Sequence, residues 1–536
     1  MKKQATLAAA GVLALSLALA GCGGGAKAPE AATSNAAAAF GFHETGYPIV
    51  DKTLSLRFSG SKAPLSPDYS SMSLVKGWQT KTNIEVKWEN LPDTVYSEKK
   101  SLILASGDLP DAFFNTGFSN AEIATYGTNG TLLPLETLIP KYMPKLNAIF
   151  EKRPDIKAVV TSSDGHIYTL PRVEELGLVQ YTNMLMINKA WLDKLGLAVP
   201  KTLEEYHQAL LAFKTKDPNG NGKADEVPLT FWAGSWCGDI LDLYAAAGGA
   251  PDNLDHRILK DGKVSFSANT PEYKQAMATM HDWYAEGLLD QEAFSQDDKA
   301  YLAKGKTSTP TVGSMVWWEI AEAVGPDRAK DYVLLPVLTG VAGKPLASVQ
   351  NHADLNRGAM ALTKSNKYPE ATLRWADELY DPAMSAQANW GPIDVTLKAN
   401  AAGVLEQIPA KGNESEGERR QKVAPGGPFI VTADDFKNVV LPEPRAAARQ
   451  EIIATMYKPF AANEQYPNVA MSNEELQEIT TIETDIQALV KEKRAKWIVS
   501  GGVDAEWDAY TKQLTNIGLD RMIQIYQDAY NRYVKK

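Results

Sequence analysis

Leu54-Ser55-Leu56-Arg57-Phe58, Ile84-Glu85-Val86-Lys87-Trp88 and Asp111-Ala112-Phe113-Phe114 decide the fold class. In the first two, large apolar residues alternate with polar ones, the period-two pattern of a strand, and the third is a short apolar strand. Helical stretches lie between and after them, the second through residues 98–105. The order β-α-β-α-β predicts a largely parallel sheet covered by helices, because parallel neighbours need a crossover long enough to hold one. A fourth strand is expected at residues 166–170.

Further along, Thr202 and Glu205 have capping-box spacing, and Leu203, Tyr206, Leu210 and Phe213 fall on one face of the helix they open. Thr270 and Pro271 open another, with Tyr273, Met277, Met280 and Tyr284 at helical spacing; these read as core. Strands are expected at residues 312–317, 332–338 and 358–363. From Ser472 the pattern is helical, broken at Gly501-Gly502, and predicts a tail that caps the globule. Trp191, Trp283, Trp375 and Trp497 sit in helical patterns and read as core.

At the N-terminus, Lys2 and Lys3 precede an apolar run over residues 5–20 that ends in Leu19-Ala20-Gly21-Cys22. This is the form of a lipoprotein signal peptide over 1–21, with Cys22 as the lipidated first mature residue. Residues 22–45, rich in Gly, Ala, Ser and Pro at their start, read as a flexible tether. The 536 residues exceed one ordinary core, so at least two lobes are expected. The charge of −10, falling to −12 once Lys2 and Lys3 are lost, argues against nucleic acid as a partner. Cys22 and Cys237 are the two cysteines, so a disulfide framework is ruled out and Cys237 reads as a buried thiol.

Three segments carry a family resemblance: Leu104-Ala105-Ser106-Gly107-Asp108-Leu109-Pro110-Asp111; Leu192-Asp193-Lys194-Leu195-Gly196-Leu197 leading to Pro200-Lys201-Thr202; and Trp283-Tyr284-Ala285-Glu286-Gly287-Leu288-Leu289-Asp290. In this order they resemble the extracellular solute-binding proteins of sugar ABC importers, especially large Gram-positive lipoproteins and alginate-oligosaccharide binders. The resemblance implies an α/β, two-lobed periplasmic-binding-protein-like fold of type II, each lobe a mostly parallel sheet flanked by helices. It divides the chain into an N-terminal lobe of 46–172 and 341–390 and a C-terminal lobe of 173–340 and 391–536, with crossings near Pro171, Pro336 to Gly340 and Trp390. It also implies a monomer on the outer face of the membrane that delivers an oligosaccharide to a permease. Open α/β sheets bind ligands beyond the carboxyl ends of their strands, so the loops after Phe58, Phe114 and Val316 should face the cleft.

Two constellations bear on chemistry. Asp217-Pro218-Asn219-Gly220-Asn221-Gly222-Lys223-Ala224-Asp225-Glu226 follows the spacing of an EF-hand loop, with Asp217, Asn219 and Asn221 offering side-chain oxygens, Gly222 the turn and Lys223 its carbonyl to a structural calcium ion. The usual final glutamate falls on Pro228; the resemblance supplies Asp225 and Glu226 as ligands instead. A solvated Asn/Gly turn is the plain alternative. The second constellation is aromatic: Trp232, Trp236, Trp317, Trp318 and Trp390 could stack on sugar C–H faces, and the resemblance favours Trp236, Trp317 and Trp318. Ser59, Asn115, Thr116 and Arg357 are polar candidates, with His352 beside Arg357; Arg357 or Arg172 would pair with a sugar carboxylate.

The chain has no His-Glu-x-x-His, Gly-x-Ser-x-Gly or Cys-x-x-Cys, and Ala300 spoils a phosphate loop ending at Gly305-Lys306-Thr307. These absences favour a binding protein over an enzyme. A surface glycoside-active lipoprotein remains the rival reading, since a carboxylate pair is defined by space and not by sequence. A peptide or lipid binder of the same fold is the third.

Overall fold

The computed structural model describes residues 35–352, 354–412, 414–469 and 471–535. The expected leader and Cys22 lie outside the described residues. Of the expected tether, residues 35–45 are described, and they are docked. Asn35–Phe40 form a 3-10 helix, Ala37 is fully buried, and Phe40 meets Tyr368 edge-on at 5.4 Å. The Arg374 guanidinium donates to the carbonyls of His43 and Gly46. Residues 35–45 are therefore not part of a free tether, because their apolar side chains find a surface to cover. Among the described residues no helix is long and apolar enough to cross a membrane.

The chain opens with β1 (Leu54–Lys62), β2 (Ile84–Pro92), β3 (Ala112–Phe114) and β4 (Leu170–Glu174). It continues with β5 (Met184–Asn188), β6 (Val227–Leu229), a hairpin of β7 (Arg257–Lys260) and β8 (Lys263–Phe266), β9 (Val312–Trp317) and β10 (Tyr332–Leu334). Last come β11 (Leu355–Leu362), β12 (Leu397–Ala399), β13 (Leu405–Gln407) and β14 (Ile430–Val431). One sheet has the order β14-β4-β11-β3-β1-β2 and a second the order β10-β5-β9-β6.

The opening unit is parallel as expected, with Leu54 beside Ile84 and Phe58 beside Ala112. Both sheets are nevertheless mixed. β11 runs antiparallel to β3 and β4, and β5 antiparallel to β9 and β10. These strands adjoin segments that pass between the lobes, where no covering helix has to intervene, so they enter in reverse. The strand expected at 166–170 starts at Leu170; Ile167 makes only an isolated bridge to Thr161.

Each sheet has its own core. Phe58, Met360 and Trp375 lie in the first, where Trp375 stacks on Trp78 at 3.9 Å. Tyr206, Phe213, Trp283 and Trp497 lie in the second, which the tail helices Asn473–Ser500, Val503–Ile517 and Leu519–Val534 close. The Thr202 capping box is formed as the spacing predicts. A third cluster, of Leu178, Tyr181, Met184, Val349, Ala446 and Ile453, gathers three segments that pass between the lobes. The last of these lies beyond Val440 and not near Trp390. Leu397, Leu405, Phe429 and Val440 bury in the first core, and Ile430 pairs with Val173. Residues 391–412 and 424–440 thus pack with the first lobe, contrary to the expected boundary, while Ser415 and Gly417 also bond to Glu322 of the second.

Candidate functional site

At the crossing cluster the two lobes line an open cavity of about 320 Å³. The first lobe contributes Arg172 and Glu174 from the end of β4, Asp354 and Asn356 at the start of β11, and Arg420 from helix Glu416–Val423. The second contributes Met184, Trp236 and Trp318; Tyr181, Thr182, Arg449 and Ile453 come from the crossing segments. The place follows from the topology, since strand ends from both lobes meet there.

The two indoles reach it by different routes. Trp318 follows the last residue of β9, so side-chain alternation sends Trp317 inward and Trp318 to the cavity. The Arg449 guanidinium covers the Trp318 ring at 4.6 Å. Trp236 stands on the turn between β6 and helix Leu241–Gly248 and is 48% exposed, while Thr182 Oγ1 donates to its carbonyl at 2.9 Å.

The opposite wall is charged and internally paired. Glu174 Oε2 lies 3.5 Å from Arg172 and 3.7 Å from Arg420. Burial pushes the Glu174 carboxyl up, but the two guanidinium charges outweigh it and hold it below its ordinary value. Arg172 lies over the Phe429 ring at 4.9 Å, and burial lowers its pKa. Arg449 has Glu319 at 3.6 Å and Glu443 at 3.9 Å. Asp354 differs: burial, then the neighbouring Glu174 and Glu175 charges, raise it to about 6, and its buried Oδ1 has no hydrogen-bond partner.

A larger groove, about 770 Å³, adjoins the cavity. Alternation along β4 and the residue after it puts Arg172 and Glu174 on the cavity and Val173 and Glu175 on the groove, and Asp354 and Asn356 line both. The groove has Arg153, Asp155, Gln180 and Gln465 among its lining residues and no tryptophan, so the smaller cavity is the better saccharide site.

The other expected ligand residues lie elsewhere. Ser59 is fully buried and its Oγ has no partner. Asn115, with φ 55°, donates to the Ser61 carbonyl at 3.2 Å, and Thr116 Oγ1 donates to Gly358 O at 3.2 Å. Arg357 binds the Val160 carbonyl and Ser162 Oγ at 3.1 and 3.0 Å and faces the larger groove. Trp317 is 7% exposed beside Tyr301, Trp232 packs against the same cluster, and Trp390 is buried edge-on to Phe436. The loops after Phe58 and Phe114 do not line the cavity; the one after Val316 does. Sequence reasoning missed Glu174, Asp354, Asn356, Arg420 and Arg449. For Glu174 a signal existed, because Leu170-Pro171-Arg172-Val173-Glu174 puts charges in a strand that is otherwise buried.

The loop expected to hold calcium bends with Asp217 at φ 47°, Gly220 at 74° and Gly222 at 75°. Asp217 Oδ1 accepts the N–H groups of Gly220 and Asn221 at 2.9 and 3.1 Å, and its Oδ2 that of Gly222 at 3.0 Å. Asn219 and Asn221 each accept an N–H two residues on and donate to Asp225. Glu226 Oε1 is buried without a partner, and burial followed by the Asp217 and Asp225 charges raises the carboxyl. An unsatisfied buried acceptor beside further oxygen donors fits a hard cation. Among the described residues no three His, Cys, Asp or Glu side chains gather closely enough to hold a metal alone, so the amide oxygens and the Lys223 carbonyl would have to complete the set. Cys237 is buried, as its sequence context predicts, and burial raises its thiol pKa.

Residues 62–386 match the family model of the bacterial extracellular solute-binding proteins. The fructooligosaccharide ABC transporter substrate-binding protein FusA of Streptococcus pneumoniae is 36% identical over 501 residues, covering 91% of this chain and 92% of its own. The structure of FusA in complex with kestose superposes with a TM-score of 0.86, covering 90% of this chain and 99% of that one. A FusA EF-hand mutant in complex with fructo-nystose gives the same TM-score, identity and coverage. The alginate-binding protein AlgQ2, 22% identical, shares the fold with a TM-score of 0.74 over 91% of this chain and 100% of its own.

Proposed function

Since the chain belongs to the bacterial extracellular solute-binding proteins, we propose that it captures an oligosaccharide in the cavity between its lobes and delivers it to an ABC importer. Fructose-containing oligosaccharides such as kestose are the first candidates, from the similarity to FusA. The observation that carries the reading is Trp236 and Trp318 on one lobe facing Arg172, Glu174 and Arg420 on the other. Indoles stack on the C–H faces of sugar rings while paired charges offer donors and acceptors to hydroxyls. Each guanidinium in the cavity already has a carboxylate neighbour, so the wall suits a neutral sugar; a uronate would call for an uncommitted arginine. A ligand that touches both lobes favours their closed arrangement.

The same proposal places the protein on the outer face of the membrane, anchored through lipid on Cys22, as a monomer with a structural calcium ion held by residues 217–226. Calorimetric titration with kestose, nystose, alginate oligosaccharides and a peptide library tests it. Tight binding of a neutral oligosaccharide without turnover is expected. Binding of peptides alone, or hydrolysis of the sugar, contradicts it.

A further inference from the structure

With half its surface in solvent, the Trp236 ring is not fixed by core packing. Its position depends on the backbone of the turn that carries it. That turn is closed by Asp239, a side chain with no exposure. Asp239 Oδ2 accepts the Gly234 N–H at 2.7 Å, and Oδ1 accepts the N–H of Ile240 at 2.9 Å. One carboxylate thus ties the residue two positions before Trp236 to the stem three positions after it.

A buried carboxylate is stable there only with a cation. The cation comes from 255 residues later: Arg494, on the tail helix Asn473–Ser500, places Nη1 2.9 Å from Asp239 Oδ2. Arg494 is itself 5% exposed, and its guanidinium stands 6.0 Å from the Tyr244 ring. Gly234 takes φ 80°, and a Cβ built on it would lie 3.8 Å from Arg494 Nη2, so the guanidinium sits directly beneath the turn.

We infer that Arg494 is a positioning residue for ligand binding: through Asp239 it holds the Gly234–Asp239 turn so that Trp236 is presented to the cavity. The tail therefore does more than cover the second core. It reaches the binding surface without touching the ligand. The affinity arm of the test rests on the sugar-binding reading above; a second arm does not.

Wild type, Trp236→Ala, Arg494→Met and the double variant are titrated with kestose. Trp236→Ala weakens binding about thirtyfold and Arg494→Met about tenfold. If Arg494 acts through the indole, the double variant binds no more weakly than Trp236→Ala alone. Losses that multiply to about three-hundredfold overturn the inference, as does an Arg494→Met protein within twofold of wild type. The second arm uses 5-fluorotryptophan labelling without sugar, with the Trp236 resonance assigned by Trp236→Phe. Arg494→Met shifts or broadens that resonance and leaves Trp318 in place; an unmoved Trp236 resonance overturns the inference. If wild type binds no sugar, the proposed function falls and the fluorine arm alone decides. Should Arg494→Met fail to fold, Arg494→Lys, which keeps the cation but not the planar fork, is read the same way with about threefold weaker binding expected.

Discussion

Replacing Trp236 by alanine removes the most accessible aromatic surface of the cavity while disturbing little of the fold. A tryptophan side chain presents roughly 200 Å². With 48% of the residue exposed, about 100 Å² is free for a ligand. A sugar ring covers about half of that, worth about 1.2 kcal/mol at roughly 25 cal/mol/Å², and stacking adds on the order of 1 kcal/mol. The sum, about 2 kcal/mol, corresponds to a loss of about thirtyfold in affinity. Stability should change little, because the ring is not part of either core. The assay is calorimetric titration of kestose against wild type and Trp236→Ala, with melting curves of both. Affinity within twofold of wild type, with the fold intact, refutes the reasoning that makes Trp236 a stacking platform.

Three further outcomes are expected. Chelation of calcium lowers the melting temperature of the wild type, and Asp217→Ala or Glu226→Ala abolishes that dependence, since a ligand of the native state stabilises by mass action; a melting temperature indifferent to chelator removes the site. Cys22→Ala leaves the protein as uncleaved precursor or releases it from membranes, scored by fractionation and blotting, because durable anchoring needs the lipid; a processed, membrane-bound variant contradicts the anchor. Asp354, raised to about 6 in the folded state from about 4 when unfolded, binds more protons folded than unfolded over that interval, so its contribution to stability falls as pH rises through it. Asp242 and Asp377, also raised to about 6, act in the same window, so Asp354→Asn should reduce the fall in stability between about pH 4 and pH 6 without removing it; a denaturant midpoint profile unchanged by the substitution counts against the assignment.

How legible each part was depends on the range of the interactions that decide it. Leu54 to Phe58 and Ile84 to Trp88 read correctly because a strand with one buried face writes its alternation into adjacent residues. The Thr202–Glu205 cap and the helical tryptophans are equally local. Residues 391–412 and 424–440 belong with the first lobe through contacts such as Ile430 with Val173, which no local pattern encodes. In the site, Trp317 and Trp318 are both apolar at a strand end, and only the register of β9 determines which one is core. Arg420 and Arg449 stayed hidden because charged residues on polar helices ordinarily face solvent; here the helices lean over the cavity and the charges find Glu174 and Glu319. Arg357 has the charge a sugar carboxylate would need, yet neighbouring backbone and serine oxygens already occupy it.

A crystal structure of the protein with kestose tests the central claim most directly. The account predicts the sugar in the cavity of about 320 Å³, with ring faces on Trp236 and Trp318 and hydroxyls on Glu174 and Arg420. Sugar density in the larger groove beside Arg153 and Asp155, with the cavity left to solvent, would contradict it.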